Sequence, residues 1–69
     1  MDTEFEKVVE EIIQAIKKAG YDPYAQLYGY VTKGKEEYIT RANGAREKIK
    51  QLSWLKLKEF VEKMGKSNQ

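Results

Sequence analysis

A chain of 69 residues with neither cysteine nor histidine has to hold itself together by packing alone. Domains this small bury a modest fraction of their surface and are often stapled by disulfides, a structural metal or a partner chain. Without cysteine there is no disulfide, and without cysteine or histidine a zinc site loses its usual ligands. What remains is an efficient apolar core and association with a second chain, so size and composition together predict a homodimer. The residues are 41% hydrophobic and 35% charged, a balance that suits a folded domain better than a disordered one.

The apolar residues recur with helical spacing. Phe5, Val8, Val9, Ile12, Ile13 and Ile16 form one stripe, which predicts a first helix over residues 4–19. Thr3 reads as its N-cap and Glu6, three residues on, completes a capping box. Glu4 and Glu6 near the start, with Lys17 and Lys18 near the end, suit the helix dipole. Gly20 supplies a left-handed terminator. Asp22-Pro23 then pairs a good cap with the residue best suited to a first helical position. A second helix is expected from Pro23 to Lys33, stopped by Gly34, with Tyr24, Leu27, Tyr28 and Val31 as its apolar positions. Gly29 inside that helix costs about 1 kcal/mol relative to alanine, which implies another helix packed closely over it.

Beyond Gly34, residues 35–39 read as one short helical turn anchored to the core by Tyr38 and Ile39. Residues 40–43 form a connector, and Asn43 is placed to cap a helix over 44–51 that turns Ala45, Ile49 and Leu52 inward. Ser53 offers a further cap for a last helix from Trp54 to Met64, with Leu57, Phe60, Val61 and Met64 as its stripe. Gly65 is expected to close that helix, leaving residues 66–69 as a polar tail. No alternating strand pattern, internal repeat or interdomain linker occurs. The expected architecture is all-α: a single domain over residues 1–69, ordered over about 4–64, built as a compact bundle of four main helices plus one short helical turn.

The same inventory narrows function. The commonest general base and the strongest common nucleophile are both missing, Asp22 is accounted for as a cap, and no glycine loop has a phosphate-binding pattern. The chain therefore reads as a non-enzyme with no catalytic residues, cofactor or metal site. No apolar run approaches the roughly 20 residues of a membrane span. The N-terminus has no signal-peptide pattern, and the reading is a cytoplasmic protein without membrane insertion.

Two features point to macromolecular contact. Tyr21, Tyr24, Tyr28 and Tyr30 crowd into ten residues. Tyrosine pairs a large apolar ring with a polar tip, so it suits the edge of a core or an interface. Two or three of the tyrosines are expected to pack within the chain and the others to line a partner surface. Trp54 and Leu55 cannot both lie on the Leu57/Phe60 stripe, which leaves surplus apolar surface for a second chain. Charge is also uneven: residues 1–32 carry a net −3 and residues 33–69 a net +5. Arg41, Arg46, Lys48 and Lys50 gather around the connector and the third helix and form a candidate basic face. Its plain explanation is a solvated surface. The functional alternative is a small helical nucleic-acid-binding protein that uses those four residues on phosphates.

The stretch Gly20-Tyr21-Asp22-Pro23-Tyr24-Ala25-Gln26-Leu27-Tyr28-Gly29-Tyr30, taken with Gly34, Tyr38-Ile39, Ala45-Arg46, Ile49 and Leu52, resembles the IreB family of small regulatory phosphoproteins of Gram-positive bacteria. The likeness covers roughly residues 9–64. It implies a compact all-α homodimer in the cytoplasm that is a substrate of a membrane Ser/Thr kinase with extracellular PASTA repeats. It also implies a negative regulator in the response to cell-wall-active antibiotics, acting on a protein target the sequence does not name. In that family phosphate falls on threonine in an N-terminal tail, and Thr3 is the threonine in that region here. Thr3 thus has two readings, a helix cap and a phosphoacceptor. The chain departs from the family pattern at Lys35-Glu36-Glu37, at Thr40-Arg41-Ala42-Asn43 and at Ser53-Trp54-Leu55-Lys56, as a divergent paralogue would.

Overall fold

The structure, a computed structural model, describes residues 3–67 and the side-chain surroundings of residues 3–65. Four α-helices follow one another: α1 (Thr3–Lys18), α2 (Pro23–Lys33), α3 (Ala45–Ile49) and α4 (Trp54–Ser67). Between α2 and α3 lie two 3-10 turns, Glu36–Tyr38 and Ala42–Gly44. The expected all-α architecture is present, with one 3-10 turn more than the spacing suggested, and no strand occurs among the described residues.

The first helix buries Val9, Ile12, Ala15 and Ile16, while Phe5, Val8 and Ile13 pack at the core's edge. It ends as Gly20 predicts. Gly20 takes φ +89°, its N–H donates to Lys17 O at 2.9 Å and the Tyr21 N–H donates to Ile16 O at 3.2 Å. That pair of bonds is a Schellman closure and satisfies carbonyls the helix would otherwise leave open. At the other end the structure departs from the expected cap. Thr3 is itself helical, so it does not sit in the half-helical position that the apolar stripe assigned to it as a cap. Residues 1 and 2 lie outside the described residues.

Asp22 caps α2 as expected: its Oδ1 accepts from the Tyr24 N–H at 3.0 Å, with Pro23 in the first turn. Gly34, at φ 69°, ends that helix, its N–H donating to Tyr30 O. Leu27 and Val31 face the interior. The close neighbour expected over Gly29 is there, but it is the ring of Tyr38 in the first 3-10 turn, not another helix.

The connector departs most from expectation. Asn43 does not cap a helix over 44–51. It sits at φ 56°, ψ 23°, followed by Gly44 at φ 75°, so two successive left-handed residues delay the helix to Ala45. Asparagine tolerates that conformation better than most residues. Its side chain is used elsewhere, the Nδ2 donating to Ala15 O at 3.0 Å and tying the start of α3 to α1. The helix also stops early: Gln51 N–H bonds to Lys48 O and Leu52 N–H to Ile49 O, three-residue spacings that tighten the last turn. Two more side chains hold this connector. Gln26 Oε1 accepts from the Thr40 N–H at 2.9 Å, and Arg46 Nε donates to Ile39 O at 2.9 Å.

Ser53 caps α4. Its carbonyl accepts from Leu57 N–H at 3.0 Å and its Oγ lies 3.4 Å from Lys56 N. Gly65 does not close this helix, which continues to Ser67. A glycine ends a helix by turning left-handed, and Gly65 is absent from the positive-φ residues. It lies instead under the hydroxyl of Tyr24, so the end of α4 packs against the start of α2. The core that results is Val9, Ile12, Ala15, Ile16, Leu27, Val31, Ile39, Ala45, Ile49, Leu57 and Val61, and no polar or charged side chain among the described residues is buried with it.

Candidate interaction surfaces

With an apolar core, the chemistry of this chain lies on its outside. Among the described residues no group of three acidic residues stands close enough to hold a metal ion. No described helix is long and apolar enough to cross a membrane.

The aromatic surface divides. Tyr24 and Tyr30 are partly buried and pack against the core. Tyr21, Tyr28, Tyr38, Trp54 and Leu55 are exposed, Tyr28 at 52% and Leu55 at 66%. Tyr24 and Tyr28 lie one turn apart on α2 with ring centroids 5.8 Å apart and planes tilted by 32°, so the buried ring supports the exposed one. Trp54 and Leu55 open α4, which packs against α2. The sequence required only one of them to be left over, yet both are. Helical spacing puts Leu57 and Val61 inward and turns Leu55 to the opposite side, whereas Trp54, three positions before Leu57, shares its side of the helix but opens the first turn and stays 39% exposed. Trp54 is not bare, because the Lys58 ammonium lies 5.3 Å from its ring centroid, a cation–π distance.

The basic residues are not one face. Arg41, Arg46 and Lys50 line an open pocket with Glu36 and Glu47. Lys50 is engaged there with both carboxylates, Glu36 at 3.4 Å and Glu47 at 3.8 Å. Lys48 belongs to a different groove, lined by Glu10, Glu11, Gln14, Ala15, Lys18 and Asn43. A five-residue helix turns neighbouring positions by about 100° each, so Arg46 and Lys48 cannot share a side. Sequence adjacency suggested a patch that helix geometry separates.

A third groove escaped sequence reading. The start of α1 meets the corner between α3 and α4, with Phe5 and Phe60 in edge-to-face contact at 6.2 Å. The hollow there is lined by Glu4, Phe5, Val8, Gln51, Leu52, Ser53 and Lys56. Thr3 is exposed at the head of the same helix. The distance in sequence between residues 4 and 56 hid this site.

These features define a small all-helical domain with an apolar interior and polar, aromatic and charged groups displayed outside. Residues 1–67 match the family described as IreB regulatory phosphoprotein. The chain belongs to that family.

Proposed function

We propose that this chain is a non-enzymatic regulatory adaptor of the cytoplasm, one domain over residues 1–69, that acts through protein–protein contacts as a homodimer and is switched by phosphorylation of Thr3. The family membership carries this reading. The exposed set Tyr21, Tyr28, Trp54 and Leu55 supports it, because apolar side chains of this size left outside a complete core favour a partner surface. The kinase is of the membrane Ser/Thr class with PASTA repeats, and the output is the cell-envelope response to antibiotics, acting on a further protein target.

The exposure of Thr3 at the head of α1 supports such a switch. A phosphate there adds nearly two negative charges at a helix N-terminus, where the dipole favours anions. Glu4 and Glu6 in the same turn oppose it, and Lys56 is a basic residue of the groove that Glu4 and Phe5 line at the head of the helix. Phosphorylation thus changes how the first turn of α1 sits against the α3–α4 corner. Incubation with the host's PASTA-type kinase domain, followed by mass-spectrometric site mapping, tests the reading. Stoichiometric modification that disappears in Thr3→Ala is the expected result. Modification confined to other residues, or none, removes Thr3 as the switch.

A further inference from the structure

We infer that the pocket formed by Arg41, Arg46 and Lys50 is a binding site for a phosphomonoester, a dianionic phosphate on a small molecule or on a phosphorylated side chain. The inference does not depend on Thr3 being modified. Its basis is the way charges in the pocket are paired. The two carboxylates, Glu36 and Glu47, are both taken up by Lys50. Arginine is the better partner for a carboxylate, since its planar fork presents two parallel donors. Yet among the described residues no carboxylate lies within ion-pair distance of either guanidinium. Two arginines in one pocket thus keep their forks open while the weaker cation absorbs the acidic neighbours.

Arg46 is also held in place. Its side chain is partly buried, and its Nε donates to the Ile39 carbonyl at 2.9 Å. Ile39 is itself fully buried, so the bond ties the guanidinium to the core. With Nε occupied, the four terminal N–H donors of that guanidinium stay available on a side chain whose rotamer freedom is already reduced. Preorganisation of this kind lowers the entropic cost of binding. Arg41 is exposed on the connector and lines the same pocket.

The ligand's charge and shape follow. A carboxylate brings one charge and two oxygens, and Glu36 and Glu47 already supply that chemistry. A phosphomonoester brings nearly two charges and three acceptor oxygens, enough to engage both guanidiniums at once. A nucleic-acid backbone fits less well. It repeats a single charge along a strand and needs a row of cations, whereas Lys48 stands in another groove beside Glu10 and Glu11, and Glu36 and Glu47 flank the arginines.

The test is an NMR titration of the full-length 15N-labelled chain at fixed ionic strength, reading backbone amides and the Arg46 Nε–H. The probes are O-phospho-L-threonine, inorganic phosphate, dimethyl phosphate as a singly charged diester, and a short single-stranded DNA. The expected result is a saturable shift centred on residues 39–50 with O-phospho-L-threonine or inorganic phosphate. Dimethyl phosphate should bind at least about tenfold more weakly, and Arg41→Gln should weaken binding by about fivefold or more. Arg41 is exposed, so an otherwise unchanged amide spectrum shows that this variant is folded. Tighter binding of O-phospho-L-threonine assigns the source to a phosphorylated side chain, and equal or tighter binding of inorganic phosphate assigns it to a small phosphate. The inference is overturned by shifts that do not saturate, by binding that survives Arg41→Gln, or by DNA as the best ligand with shifts extending to the Lys18/Lys48 groove.

Discussion

The ring of Tyr38 occupies the space that a side chain on Gly29 would need. A Cβ built on Gly29 falls 2.8 Å from Tyr38 Cδ1, 3.2 Å from Cγ and 3.4 Å from Cβ. The crowding is at the root of the tyrosine side chain, so it cannot be relieved by swinging a free end. The first 3-10 turn, and with it the buried Ile39, would have to shift. Alanine at 29 otherwise favours the helix by about 1 kcal/mol. We expect the clash to outweigh that gain, leaving Gly29→Ala destabilised by about 1–2 kcal/mol in urea unfolding, within the range for overpacking. In a Tyr38→Ala background the sign should reverse, because only the helix-propensity gain remains. A double-mutant cycle with no coupling would refute this account.

Gly65 makes the useful contrast. Its added Cβ would meet the Tyr24 hydroxyl oxygen at 2.7 Å, which is a closer approach than that at Gly29. Here, however, the obstacle is the far end of a rotatable side chain at the edge of the core. Because Gly65 is helical, alanine again gains up to about 1 kcal/mol. Gly65→Ala should therefore be neutral or mildly stabilising, with a change in the environment of Tyr24 visible in its ring proton shifts. A loss as large as that of Gly29→Ala would mean that Tyr24 is fixed more firmly than its position suggests.

Asn43 combines two roles that separate substitutions can divide. Asn43→Gly keeps the left-handed backbone and removes only the Nδ2 bond to Ala15 O. That carbonyl also accepts from the Ala19 N–H at 3.3 Å, so it is not left bare, and the expected cost is about 1 kcal/mol. Asn43→Ala adds the left-handed strain of a side chain with no local hydrogen bond, a further 1 kcal/mol or so. Chemical denaturation should thus rank wild type above Gly and Gly above Ala. Equal losses for the two would assign the whole effect to the hydrogen bond.

Local patterns carried the helices, and non-local contacts carried what was missed. Gly20, Asp22-Pro23, Gly34 and Ser53 each act through backbone groups within a few residues, so their roles could be read directly. Asn43 and Gly65 looked like the same kind of local signal and were not. Asn43 reaches 28 residues back to Ala15, and Gly65 answers to Tyr24, a residue on another helix. The surfaces follow the same rule. Exposure of Trp54 or Leu55 was legible from helical phase, whereas the groove joining residue 4 to residue 56 and the separation of Lys48 from Arg46 depend on how the elements pack.

The homodimer reading makes a prediction with two opposite signs. Leu55 is 66% exposed on the first turn of α4, so its side chain adds little to the fold of one chain. That first turn carries no acidic residue, and a carboxylate there would interact favourably with the helix dipole, worth about 0.3–1 kcal/mol. Leu55→Glu should accordingly hold or raise the stability of the monomer. A charge at an apolar contact between two chains should do the reverse to association, because it is desolvated without a partner. Sedimentation velocity should show the dimer weakened by about tenfold or more. Thermal melts should lose the rise of Tm with protein concentration that a wild-type dimer shows by mass action. If the variant dimerises like wild type, Leu55 lies outside the interface, and Tyr28→Glu becomes the next position to test. If wild type itself shows no concentration dependence, the exposed residues serve a different partner and the dimer is excluded.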